Sequence, residues 1–195
     1  MGNQNSQTLG SHEGVETQDG PDYTLFIICA DILDQLQSDS PEEIARKIKE
    51  LEILNDEYSM KNLSAHIYNR ALTNESTSLK HVELAKFLSD IVIEVPGSSS
   101  GISFKDVFLK VAMERFDDFD VGMESFFGNL FNTDMVSAQL TCYWITSLND
   151  RFSMQEKLLK IIRDKIIKNK GSQNCHIESI RRIMQENGIT DSLIS

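Results

Sequence analysis

Apolar residues recur at helical spacing in segment after segment of this chain, and its three prolines, Pro21, Pro41 and Pro96, all stand at the boundaries between segments. A proline inside a helix removes a hydrogen bond and clashes with the preceding turn, whereas at a first helical position it costs nothing. No stretch alternates apolar with polar residues as a half-buried strand does. The pattern therefore predicts an all-α fold.

The spacing places a first helix over 23–37, with Leu25, Ile28, Ile32, Leu33 and Leu36 on one stripe. Ser40-Pro41-Glu42-Glu43 reads as a capping box, in which serine caps, proline takes the first helical position and the glutamate reaches back. It opens a second helix with Ile44, Ile48, Leu51 and Leu54. A third helix is expected near 58–73 (Leu63, Ile67, Tyr68, Ala71) and a fourth near 79–94 (Val82, Ala85, Leu88, Ile91, Val92). Pro96 to Gly101 combines a helix breaker with two glycines and reads as a loop inside one array. Ser103, with Asp106 three residues on, starts a fifth helix through Phe104, Val107, Phe108, Val111, Ala112 and Phe116.

A short sixth helix is expected over Met123 to Asn132, and Thr133 caps a seventh from Met135 to Leu148 that contains Trp144. Ser153-Met154-Gln155-Glu156, a second capping box, opens an eighth helix to Lys168. A ninth spans 174–187 before Gly188. About nine helices in pairs, with a period of about 35 to 45 residues, predict a HEAT-like α-solenoid of stacked antiparallel hairpins. Residues 1–20 are too poor in apolar side chains to fold alone and read as a disordered tail. The repeat domain then covers 21–188, and 189–195 form a short C-terminal tail.

Charge divides this array. The formal net charge is -11, yet residues 1–45 hold nine acids and neither Lys nor Arg. From Lys157 to Arg182 the sign reverses: Lys157, Lys160, Arg163, Lys165, Lys168, Lys170, Arg181 and Arg182 stand against Asp164 and Glu178, a net of +6 from eight bases and two acids. The acidic total excludes uniform coating of nucleic acid. The basic segment is the candidate contact surface for RNA or an acidic partner. Lacking interleaved exposed aromatics, it suits phosphate contact over base readout, so any RNA affinity is expected to be weak and salt-sensitive.

Other chemistry is sparsely represented. No Gly-rich phosphate loop, nucleophile elbow or paired metal-ligand spacing occurs, so neither catalysis, metal nor cofactor is expected. Asp118 and Asp120 do not make a calcium loop, because Gly122 stands where a ligand belongs and position twelve is Asn129. His66 and His81 read as structural or surface residues, and Cys29 and Cys142 as small core residues. Three widely spaced cysteines fit a reducing compartment, no apolar run is long enough to span a membrane, and the chain reads as cytoplasmic. Met1-Gly2-Asn3-Gln4-Asn5-Ser6 satisfies the N-myristoylation pattern, with Gly2 as the acceptor. One myristoyl chain without a nearby polybasic patch anchors only marginally.

The stretch Val121-Gly122-Met123-Glu124-Ser125-Phe126-Phe127-Gly128-Asn129-Leu130-Phe131 resembles the signature of the middle domain of eukaryotic initiation factor 4G: a glycine, an aromatic, a second glycine, a leucine and an aromatic. Leu33 with Ile44 to Leu54 resembles that family's first hairpin, Ile67-Tyr68 to Ala71 its next helix, and Phe104 through Phe116 its phenylalanine-led third repeat. Leu158 to Lys170 and Ile180 to Glu186 are similar to its last hairpin. The family commonly carries a basic run before the first glycine; Asp117, Asp118 and Asp120 stand there instead. The resemblance implies a non-enzymatic adaptor or regulator of mRNA translation that binds an RNA helicase such as initiation factor 4A, and sometimes RNA. The alternative is a general helical-repeat interaction module, with or without an N-myristoyl group, unrelated to translation. On physical grounds alone, Gly128 inside a helix costs about 1 kcal/mol relative to alanine and so implies a close helix crossing. The phenylalanines at 116, 119, 126, 127 and 131 read as core.

Overall fold

The computed structural model describes residues 23–94, 100–115, 122–147, 158–162, 164, 182 and 185. Within them the chain is mostly helical: α1 (Tyr23–Asp34) running into a 3-10 turn (Gln35–Gln37), α2 (Pro41–Glu50), α3 (Glu57–Thr73), α4 (Glu75–Leu88), α5 (Phe104–Glu114), α6 (Met123–Asn132) and α7 (Ala138–Ser147). Residues 158–162 are helical as well. The expected tail over 1–20, the Ser153 capping box, most of the ninth helix and the C-terminal tail lie outside the described residues.

The helix starts follow from their caps. Ser40 Oγ accepts the Glu43 amide at 3.2 Å with Pro41 at the first position. The second arm of that box is not made: the Glu43 carboxylate turns outward to Arg46, 2.6 Å from its guanidinium, because a cation one turn on competes with the Ser40 amide. Asp56 caps α3 through the Ser59 amide at 2.7 Å. Ser103 caps α5 through the Asp106 amide, and its hydroxyl donates to the Asp106 carboxylate at 2.6 Å.

Two expected helices change their bounds. The fourth begins at Glu75 and ends at Leu88, short of the expected 94. Ile91, Val92 and Ile93 are β-branched and leave the helix. Val92–Ile93 (β1) pairs antiparallel with Ile102–Ser103 (β2), so the expectation of no strand is corrected by this two-residue ladder. Gly101 admits it: a Cβ there would meet Val92 Cγ1 at 2.5 Å and the Ile93 carbonyl oxygen at 2.7 Å.

The seventh helix begins at Ala138, three residues after the expected Met135, and its cap is Ser137, whose Oγ accepts the Leu140 amide at 3.2 Å. Thr133 instead closes α6, donating to the Asn129 carbonyl at 2.8 Å. Met135 and Val136 are buried without being helical.

The helices pack in two rows. α1, α3 and α5 lie side by side in one, α2, α4 and α6 in the other, and α3 against α4 joins them. The core runs through that seam: Leu33, Leu36, Ile44, Ile48, Met60, Leu63, Ile67, Val82, Leu84, Ala85 and Leu88 are all buried. Leu51, expected on the α2 stripe, is 51% exposed because it is the C-terminal cap residue, where the helix face turns away. Cys29 is buried as expected, and burial pushes its thiol up to about 11. The Cys142 side chain lies outside the described ones.

Candidate interaction surface

The sixth helix packs against α4 and α3. Gly122, its N-terminal cap residue, has φ of 97°, and a Cβ there would collide with the Leu72 carbonyl oxygen at the end of α3. Only glycine takes this conformation and this approach cheaply. One and a half turns on, a Cβ at Gly128 would lie 2.5 Å from Ile161 Cδ1, so α6 crosses the helical stretch at 158–162 in close contact. The crossing expected from the sequence is present.

Between these glycines sit the aromatic residues. Phe126 meets Tyr68 edge-on at 5.1 Å, Phe108 at 6.1 Å and Phe127 at 5.4 Å between ring centroids. Phe127 lies 4.2 Å from the Trp144 ring, and the indole N–H donates to Met113 Sδ at 3.1 Å, fixing α7 to α5 and α6. Phe126, Phe127 and Phe131 are fully buried, core as expected. Phe116 and Phe119 lie outside the described residues.

Of the basic segment, Lys160 and Arg182 are described with their side chains, and both are exposed on helical residues. Leu158, Leu159 and Ile162 are buried beside Lys160, and Asp164 is exposed. Over 158–162 the helix therefore has an apolar side and a side that carries Lys160. Lys157, Arg163, Lys165, Lys168, Lys170, Arg181 and Gly2 lie outside the described residues.

Two features of the surface had no strong signal in the sequence. The first is a groove of about 590 Å3 between α2 and α4. Ala45 and Phe87, the latter 41% exposed, give it apolar surface, while Glu42, Glu43 and Glu50 give it carboxylates. Arg46 is clasped by Glu43 and Glu50, and Lys49 reaches Asp90 at 2.9 Å. The Arg46 guanidinium holds the Glu43 carboxyl below its ordinary range, and Lys49 does the same for Asp90. A signal existed in Phe87, which falls off the Val82–Ala85–Leu88 stripe.

The second is a polar cleft of about 260 Å3 where the 3-10 turn meets the junction of α3 and α4. Arg70 pairs with Asp34 and donates to the Ala30 carbonyl at 3.2 Å, tying α3 to α1. Lys80 donates to the Leu36 carbonyl at 2.9 Å, tying α4 to the 3-10 turn. His81 is buried with Nδ1 2.8 Å from the Thr77 carbonyl oxygen, and its Nε2 is enclosed without a hydrogen-bond partner. Burial lowers its pKa, the hydrogen bond to Thr77 opposes that in part and the Arg70 charge adds to the lowering, so it is neutral with the Nδ1 proton donated to Thr77. His66 is lowered for the same two reasons.

Among the described residues no three His, Cys, Asp or Glu side chains gather as a metal site, and no helix is long and apolar enough to cross a membrane. Compared with known proteins, the chain matches no family model and no curated sequence.

Proposed function

We propose that this chain is a non-enzymatic adaptor or regulator of mRNA translation whose stacked helical hairpins form a HEAT-like surface. It binds a translation factor, an RNA helicase of the initiation factor 4A kind, through its basic rear segment, which also touches RNA weakly. One observation carries the reading: the stretch that resembles the initiation factor 4G middle domain is closely packed at both of its glycines. Its first glycine lies against α3, its second against the helix at 158–162, and its aromatics fill the space between. The two-row order of α1 to α6 supports the repeat architecture, since in such arrays each helix packs on the equivalent helix of the next hairpin.

The test is titration of the purified chain with initiation factor 4A. Saturable binding is expected, weakened by the combined substitutions Lys160→Glu, Arg163→Glu and Arg181→Glu. No complex at micromolar concentrations removes the helicase as partner. Filter binding of RNA at two ionic strengths tests the second contact, and no retention even at low salt removes RNA.

A further inference from the structure

We propose that the groove between α2 and α4 is a docking site for a basic amphipathic helix of a partner protein, one that seats an apolar side chain on Phe87 and sets Lys or Arg against Glu42, Glu43 and Glu50. A phenylalanine 41% exposed beside the buried Leu88 offers an apolar contact that nothing in the described chain covers. Two helices lying side by side with a trough between them fit a third laid along it. The chemistry of the occupant follows from charge. The groove's three carboxylates face two bases, a net of -1, and Asp90 makes it -2. Both bases are already held by carboxylates, whereas Glu42 has no ion pair among the described residues. Along α2 and its flanks, from Asp39 to Glu57, seven acids stand against Arg46, Lys47 and Lys49, a net of -4.

Nucleic acid is repelled by such a surface. A second copy of this chain, at a net -11, is disfavoured as a whole even though its rear is basic. A basic helix of another protein meets both the charge and the exposed ring. This surface lies on α2 and α4 and uses no residue of the basic segment, and its occupancy does not depend on any link to translation.

The experiment uses the full chain and a fluorescein-labelled synthetic peptide with leucine at helical i, i+3, i+4 and i+7 spacing and lysine elsewhere, read by anisotropy. Saturable binding is expected, with the dissociation constant raised at least about fivefold by Phe87→Ala and by Glu42→Gln with Glu50→Gln, and restored by Phe87→Leu. A peptide with serine for every leucine is expected to bind at least about fivefold more weakly and to be indifferent to Phe87→Ala. Asp31→Asn, a charge change on α1 away from the groove, is expected to leave binding unchanged. Absence of binding, indifference to Phe87→Ala, or an equal loss with Asp31→Asn overturns the proposal, the last because it means diffuse attraction to an acidic protein. A concentration-dependent dimer in sedimentation velocity that Phe87→Ala abolishes also overturns it, by giving the groove to a second copy.

Discussion

Gly128 and Ile161, thirty-three positions apart in sequence, meet so closely that a single methyl group on the glycine would lie 2.5 Å from the isoleucine's Cδ1. Alanine at 128 gains about 1 kcal/mol of helix propensity and loses about 1–3 kcal/mol to overpacking, toward the lower end because the atom it meets is the tip of the Ile161 side chain. Gly128→Ala is expected to be mildly destabilising in urea unfolding followed by the fluorescence of Trp144, the chain's one tryptophan. Ile161→Val removes the clashing Cδ1, so the double variant is expected to recover most of the loss. Additive destabilisation in the double-mutant cycle would mean that the two side chains do not share this space.

Gly122 is the harsher site. A side chain there meets both a φ of 97° and the Leu72 carbonyl, and neither backbone can give way cheaply. Gly122→Ala is expected to cost about 2–4 kcal/mol, more than Gly128→Ala. Thermal denaturation of the two variants side by side checks the order.

His81 gives the fold a specific acid sensitivity. Its pKa is lowered in the folded chain below the 6.5 of an exposed histidine, so between the two values the unfolded chain binds the proton and the folded chain does not. Stability is full above 6.5, falls as pH drops toward the folded value, and levels off below it. His66 is shifted in the same direction. His81→Gln is expected to flatten the decline of the urea midpoint from neutral to mildly acidic pH without abolishing it. An unchanged slope would mean that His81 is not the buried, neutral group described above.

Arg70 links this chemistry to packing. Its guanidinium, 31% exposed, bridges α3 to Asp34 and Ala30 of α1, and its charge helps to hold both histidines neutral. Arg70→Met is expected to cost about 1–2 kcal/mol, the upper range for charged hydrogen bonds discounted for partial exposure. It is also expected to raise the titration midpoints of His66 and His81 in NMR. Midpoints that stay fixed would show that the Arg70 charge does not reach them.

The Trp144 contact supplies a fourth test of packing. Phe127→Ala removes the ring whose centroid lies 4.2 Å from that of the indole, tilted 45° to it, and is expected to cost about 3–5 kcal/mol and to shift the native emission toward that of exposed tryptophan. A native spectrum left unchanged would contradict that pairing.

How much of this was legible in the sequence depended on how local the deciding interaction was. The starts of α2 and α5 were legible because a capping serine and an acid stand within one turn of each other, with Pro41 between them at α2. The same holds for the extent of α6, with a glycine before it and apolar residues throughout. The end of α4 was not, since Ile91 and Val92 continue the helical stripe as well as they begin a strand. Gly101, nine positions beyond Val92, admits the ladder that decides between them. The start of α7 was misplaced because Thr133 and Ser137 are both competent caps, and Thr133 is consumed by the α6 carbonyls. Gly128 announced a close crossing, while its partner Ile161 could not be read from local pattern. The groove at Phe87 arises from the lateral packing of α2 on α4, which periodicity within either helix does not encode.

The central claim is that the chain serves translation by holding one of its proteins. Affinity purification of the tagged full-length chain from its native cells, followed by mass spectrometry, measures this most directly. The account predicts translation initiation factors, an RNA helicase among them, enriched over a tag-only control and reduced for the Lys160→Glu, Arg163→Glu, Arg181→Glu variant. A specific set of partners containing no translation factor or RNA-processing protein would contradict it.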